Sequence, residues 1–167
     1  MSLCTHVKDG DTLVLRDGLS LVTVRLAGVM ADELDSQNEL TRTKALIAYS
    51  VLNSLCLNYE LSLHLDDLQP DKDKYGRLIR YVRRAHDDLD ICYEMIRGGW
   101  APAWVAGRFS QSQRYHAAAG EALSLKLGRI SILLGHCIPP SAQVFKDLRN
   151  PPHPLFPDAI GVITNPG

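Results

Sequence analysis

An α+β domain of five strands and three helices is predicted for this chain of 167 residues, and three observations predict it. Over the first thirty residues, short apolar and β-branched runs are punctuated by Asp9-Gly10 and Asp17-Gly18, a hairpin signal. Between Gln37 and Cys56 the apolar period changes from two to that of a helix. Beyond a second set of strand-like runs, two more segments open on a capping residue and close on glycine, as helices do.

The first three strands are Thr5 to Lys8, Thr12 to Arg16 and Leu19 to Val29. In the first helix, Leu40, Ile47, Ala48, Val51, Leu52 and Leu55 share one face, and Ser36 is the expected N-cap. Tyr59 to Asp66 alternates, with Leu61, Leu63 and Leu65 on one side and Glu60, Ser62, His64 and Asp66 on the other, which reads as a half-buried strand. Leu68 to Gly76 is a polar loop with Pro70, and Arg77 to Arg84 is the fifth strand. Asp87-Asp88 forms a turn. Asp90 caps a short helix, Ile91 to Arg97, that stops at Gly98-Gly99. The third helix follows Ser112, buries Tyr115, Ala118, Ala119, Ala122 and Leu125, and ends near Gly128.

Seven of the nine prolines fall beyond Cys137, which rules out regular helix or interior strand there. Residues 1–137 are therefore expected to form the domain and 138–167 an extended Pro-rich tail. Val144, Phe145, Leu148, Leu155, Phe156 and Ile160 make that tail too apolar for a free linker. It is expected to pack on the domain or a second copy, with Ala159 to Thr164 as an added strand.

Eighteen Lys+Arg against nineteen Asp+Glu exclude a bulk polycation that coats nucleic acid. The distribution is uneven: residues 1–67 hold five bases and ten acids, residues 68–137 eleven bases and seven acids. Such asymmetry suits a metal-plus-phosphate site, and equally suits solvated faces. Cysteines 4, 56, 92 and 137 have no zinc-type spacing and are expected to be buried thiols. No run of eighteen apolar residues occurs, and the N-terminus lacks a leader pattern, so a soluble chain with no membrane contact is expected.

Arg25 stands in an apolar strand among Val22, Val24 and Leu26, where an unpaired charge is costly. Two readings stand: an ion pair with an acid such as Glu33, or a fork held for phosphate, whose oxygens match guanidinium geometry. Asp11 reads as a turn residue bonded to its own backbone. Lys74 beside Tyr75 places a cation next to a ring, a pair that can hold a phosphate and a base. No nucleophile elbow, phosphate-binding Gly-rich loop or dinucleotide fingerprint occurs in the sequence.

Asp9-Gly10-Asp11-Thr12, the run from Val24 to Glu33, and Asp73-Lys74-Tyr75-Gly76-Arg77, in that order, resemble the staphylococcal nuclease family. Arg97-Gly98-Gly99-Trp100-Ala101 and the helix containing Tyr115, Ala119, Ala122, Lys126 and Gly128 extend the resemblance over residues 5 to about 130. It implies a five-stranded OB-type β-barrel with three helices. It also implies a calcium-dependent phosphodiesterase acting on single-stranded DNA or RNA. Arg25 and Arg77 would then clamp the phosphate, Glu33 would handle the water, and Asp11 would bind calcium. Lys74, Tyr75 and Trp104 would contact the nucleic acid. Members of that family are often secreted, which leaves the compartment open.

The chain also departs from the family pattern. Where a second metal-binding aspartate belongs, Met30 offers a thioether, a poor ligand for a hard ion. Asp32 is the substitute ligand the sequence offers, displaced by two positions. Pro102, Ala103, Trp104 and Val105 stand where tyrosines are common, leaving Trp104 as either a stacking surface or core. The alternative to an enzyme is a non-catalytic nuclease-like module that binds nucleic acid or protein. A homo-oligomer built through the tail is compatible with both.

Overall fold

β1 (Ser2–Asp9) turns at Gly10 and returns as β2 (Thr12–Asp17), which pairs in turn with β3 (Ser20–Leu26), all antiparallel. The computed structural model describes residues 1–133. The expected tail, its added strand and Cys137 lie outside them. α1 (Glu39–Cys56) follows, then β4 (Glu60–His64) and β5 (Leu78–Arg84). β1 pairs with β4, β4 with β5, and β5 runs parallel to β3 through Val24↔Leu78, Arg25↔Ile79 and Leu26↔Arg80. The circuit β1-β2-β3-β5-β4 therefore closes on itself, giving the OB-type barrel of an α+β domain.

Two short elements were not expected. β6 (Leu89–Asp90) extends β5 outside the barrel, and α4 (Arg129–Leu133) follows the third long segment. Between them lie α2 (Ile91–Arg97), capped by the Asp90 side chain on the Tyr93 N–H, and α3 (Ser112–Ser124). α3 stops at Ser124, four residues short of Gly128, and Leu125 is exposed.

The first helix starts at Glu39 because Asn38, not Ser36, is the cap: its Oδ1 accepts from the Thr41 N–H at 2.9 Å. Leu40, expected in the apolar face, precedes the first turn that reaches the barrel and stays exposed. Ile47, Ala48, Val51, Leu52 and Leu55 do face the barrel. They meet Cys4, Val7, Leu13, Leu15, Val24, Leu61 and Val82 from the strands and Ile91, Met95 and Ile96 from α2 in one core. Cys4, Cys56 and Cys92 are buried free thiols, as expected, and burial raises all three above the ordinary thiol range.

β3 ends at Leu26, three residues earlier than the sequence suggests, because the chain bends at Gly28 (φ +72°) and pairs instead with the segment around Ala103. The alternation in β4 also ends early. Leu65 is exposed and Asp66 is buried, accepting from the Leu68 N–H, the Ser110 N–H and the Tyr81 hydroxyl. A charged group is tolerated inside because its lone pairs are filled. Arg84, wholly buried, is likewise held by a two-pronged pair with Asp87 and lies 4.8 Å from the Tyr59 ring.

Candidate functional site

Barrel closure sets three strands side by side at one end. Thr12 of β2 lies opposite Arg25 of β3, and Arg25 lies beside Ile79 of β5. Asp11 precedes Thr12, and Arg77 leads into β5, so four residues from three distant stretches meet there.

They are joined by a continuous chain of polar contacts. The Arg25 Nη2 group lies 3.0 Å from the Asp11 Oδ2. The other carboxylate oxygen, Oδ1, accepts from the Thr12 hydroxyl at 3.0 Å, and that hydroxyl accepts from Arg77 Nη1 at 3.2 Å. Thr12 is buried, so the bridge between the two guanidinium groups is shielded from water. The acid partner of Arg25 is thus Asp11 and not Glu33. The Arg25 head group is further anchored by Nη1, which donates to the carbonyls of Val29 at 2.7 Å and Leu26 at 3.3 Å.

Asp11 is the more enclosed partner of the ion pair, its side chain 8% exposed against 19% for Arg25. Its Oδ2 also accepts from the Ala31 N–H at 2.6 Å, which ties the barrel to the loop that carries Met30, Asp32 and Glu33. Burial pushes the Asp11 carboxyl up, to about 7, with Arg25 pulling it down and the neighbouring Asp9 carboxylate pushing with burial. Asp9 sits one turn back and accepts from the Asp11 N–H.

Arg77 is organised from within its own loop. Asp73 accepts from the N–H groups of Tyr75 and Arg77 through Oδ1, and from Arg77 Nε at 2.6 Å through Oδ2. Burial opposes the charge on Asp73, but these bonds outweigh it and hold the carboxyl below its ordinary range. Gly76 completes the turn with φ +78°. Tyr75 projects outward, 71% exposed, with the Lys74 Nζ 4.9 Å and the Arg77 guanidinium carbon 5.3 Å from its ring centre.

The remaining expected residues do not join them. Glu33 is exposed, and among the described residues its carboxylate has no ion-pair partner. Asp32 turns to Arg129, whose Nη1 donates to Oδ2 at 2.8 Å. Trp104 is half-buried, stacked on Phe109 at 6.3 Å and covering Gly107, where an added Cβ would come within 2.0 Å of the indole. Its ring belongs to the packed edge of the core rather than to an open stacking surface.

Calcium takes about six to eight oxygens, several of them anionic. Here both Asp11 oxygens are engaged, Met30 contributes a thioether, and Asp32 is bound elsewhere. Among the described residues no three His, Cys, Asp or Glu side chains converge as metal ligands. This donor set does not fit calcium.

No family model and no curated protein matches the chain.

The sequence points to neither the role of Thr12 nor that of Arg129. Thr12 follows the Asp-Gly-Asp turn, but only its register opposite Arg25 makes it a bridge. Arg129 is 97 positions from Asp32, beyond any local pattern. A cavity of about 560 Å³, lined by Tyr59, Glu60 and His86 among others, lies at the opposite end of β5 and shares no residue with this cluster.

Proposed function

We propose that this chain is a nuclease-type OB module that grips single-stranded nucleic acid without calcium. The resemblance of its three ordered stretches to staphylococcal nucleases and the closed barrel support that ancestry. The observation that carries the reading is the linked pair Arg25 and Arg77, with the exposed Tyr75 ring set between Lys74 and Arg77. Two guanidinium groups a short bridge apart match a phosphodiester in charge and in hydrogen-bonding chemistry. An exposed ring beside them offers a face for the adjacent base, and stacking of that kind tolerates any sequence.

Hydrolysis of the same phosphodiester is a second reading, favoured by the open carboxylate of Glu33, two residues from the Ala31 N–H that holds Asp11. In that reading Glu33 takes the proton of the attacking water, the P–O bond to the leaving sugar oxygen breaks as the new one forms, that oxygen takes a proton from solvent, and Arg25 and Arg77 stabilise charge developing on the phosphate.

The test is fluorescence anisotropy of a labelled oligothymidylate, with gel analysis of the same samples over hours, in chelator and in calcium. Binding in chelator, weakened about tenfold or more by Arg77→Ala and by Tyr75→Ala, is the expected result. Cleavage lost in Glu33→Gln would establish the second reading, and no binding in either condition would refute both.

A further inference from the structure

We infer that the nucleic-acid site continues past Arg25 and Arg77 onto the loop between β4 and β5 and the loop between α2 and α3, where Lys72 and Arg108 take further phosphates of the same strand. This rests on the nucleic-acid-binding reading above and adds the size of the ligand: a strand of several nucleotides rather than a single nucleotide or a chain end.

The loop between β4 and β5 sorts its charges. Along Asp71-Lys72-Asp73-Lys74 the two acids are spent on arginines of the same stretch of chain, Asp71 on Arg80 and Asp73 on Arg77. The two lysines are exposed, and among the described residues neither has an ion-pair partner. Arg108, in the loop before α3, is likewise exposed, and among the described residues its guanidinium has no ion-pair partner. Arginines nearby in sequence are held by acids instead, Arg83 by Asp88, Arg97 by Glu94 and Arg114 by Asp90. A cation that already has a counter-charge in the protein has little to offer a phosphate. An unpaired, exposed one neutralises a phosphate at small desolvation cost and releases the counterion condensed there.

Backbone pairing sets these cations beside the site. Lys72 bridges to Leu78, and the Ile79 N–H donates to the Asp71 carbonyl at 3.1 Å, so the loop folds back along one edge of β5. β3 occupies the other edge through Val24↔Leu78 and Arg25↔Ile79. Lys72 and Arg25 therefore stand on backbones two strand spacings apart, about 10 Å. That is about three nucleotides at the ~3.4 Å rise of one DNA strand. The same loop is tied to the one before α3, where the Gln69 side-chain amide donates to the Arg108 carbonyl and Asp66 accepts from the Ser110 N–H at 2.9 Å. Arg108 is thus held next to the loop that carries Lys72 and Lys74. Its tie runs through its carbonyl, which leaves the guanidinium for a phosphate.

Labelled oligothymidylates of two and of eight nucleotides, compared by anisotropy on the full chain in chelator over a series of salt concentrations, test this. For the wild type, the plot of log affinity against log salt should be steeper with the longer strand, by about 0.7 for each phosphate gained. The slope is the deciding quantity, because a longer strand also gains affinity from its many binding registers, which leave the slope alone. Lys72→Ala combined with Arg108→Ala should weaken the longer strand about tenfold at low salt and lower its slope by about 1.4, with the dinucleotide unchanged. Arg16→Ala combined with Lys126→Ala removes two exposed cations of other elements and should change neither ligand. An unchanged octanucleotide slope in the first double variant, an equal loss for both lengths, or an equal loss from the second double variant would each overturn the extension. Should the first double variant fail to fold, the wild-type slopes decide: a difference between the two lengths supports the extension, and equal slopes overturn it. Binding of both lengths with equal slopes defeats the extension alone, whereas no binding of either defeats the nucleic-acid reading as well.

Discussion

Arg129, the first residue of α4, donates from Nη1 to the Asp32 carboxylate at 2.8 Å and so pins the loop after β3 to the far end of the described chain. The arginine reaches it because two glycine turns interlock beneath α4. Gly128 has φ +58°, a Cβ on it would lie 2.3 Å from the Gly98 carbonyl, and the Arg129 N–H donates to the Gly99 carbonyl. The loop that holds Met30 and Glu33 is therefore fixed at both sides, by Ala31 on Asp11 and by Asp32 on Arg129.

Arg129→Ala should release one of those two ties. Both partners are largely shielded, so the expected loss of stability is about 1–2 kcal/mol. Hydrogen exchange resolved by mass spectrometry should show faster exchange in the peptide spanning residues 29–36, with β1 and β2 unchanged. Arg129→Lys should recover part of the protection. Uniform exchange across the domain would mean that the pair does not govern the loop.

Asp66 gives a pH-dependent prediction. Burial would raise its carboxyl, but hydrogen bonds from the Tyr81 hydroxyl and from the N–H groups of Leu68 and Ser110 outweigh it and hold the group below its ordinary value. A depressed carboxyl stabilises the fold above its unfolded value, near 3.8, and that contribution is lost as pH falls through the lower folded value. Asp66→Asn should thus cost about 1–3 kcal/mol at neutral pH in urea unfolding. The gap from wild type should narrow below about pH 4. A gap independent of pH would assign the loss to shape and not to charge.

Gly28→Ala should be among the most damaging single-methyl changes in the domain. At φ +72° an alanine is strained, and its Cβ would lie 2.6 Å from a Phe109 ring carbon and 2.9 Å from one of Tyr115. Together strain and overlap should cost about 3 kcal/mol or more. Thermal melts followed by near-ultraviolet circular dichroism would read both the lower midpoint and the disturbed aromatic packing. Gly18→Ala, at φ +60° with open space around it, separates backbone strain from overlap and should cost less.

Features that act over a few residues are legible in the linear chain. The Asp9-Gly10 and Asp17-Gly18 turns, the Asp90 cap and the Gly98 stop of α2 are local competitions between backbone groups and a nearby side chain, and they stand where the pattern puts them. The helical face of α1 and the buried thiols follow equally from periodicity and composition. The hold of Asp73 on Tyr75 and Arg77 is likewise a matter of one short loop. The matching of charges across distant stretches depends on how the barrel closes. Arg25 faces Asp11 because β2 and β3 pair in one register, and Arg77 joins them because β5 closes the barrel beside β3. Asp66 goes inside because Ser110, 44 positions later, brings a donor, and Asp32 is taken by Arg129 rather than left for a metal. An ion pair depends on distance and enclosure, which a linear pattern does not encode, so the partner of a buried charge becomes legible only after the barrel has closed.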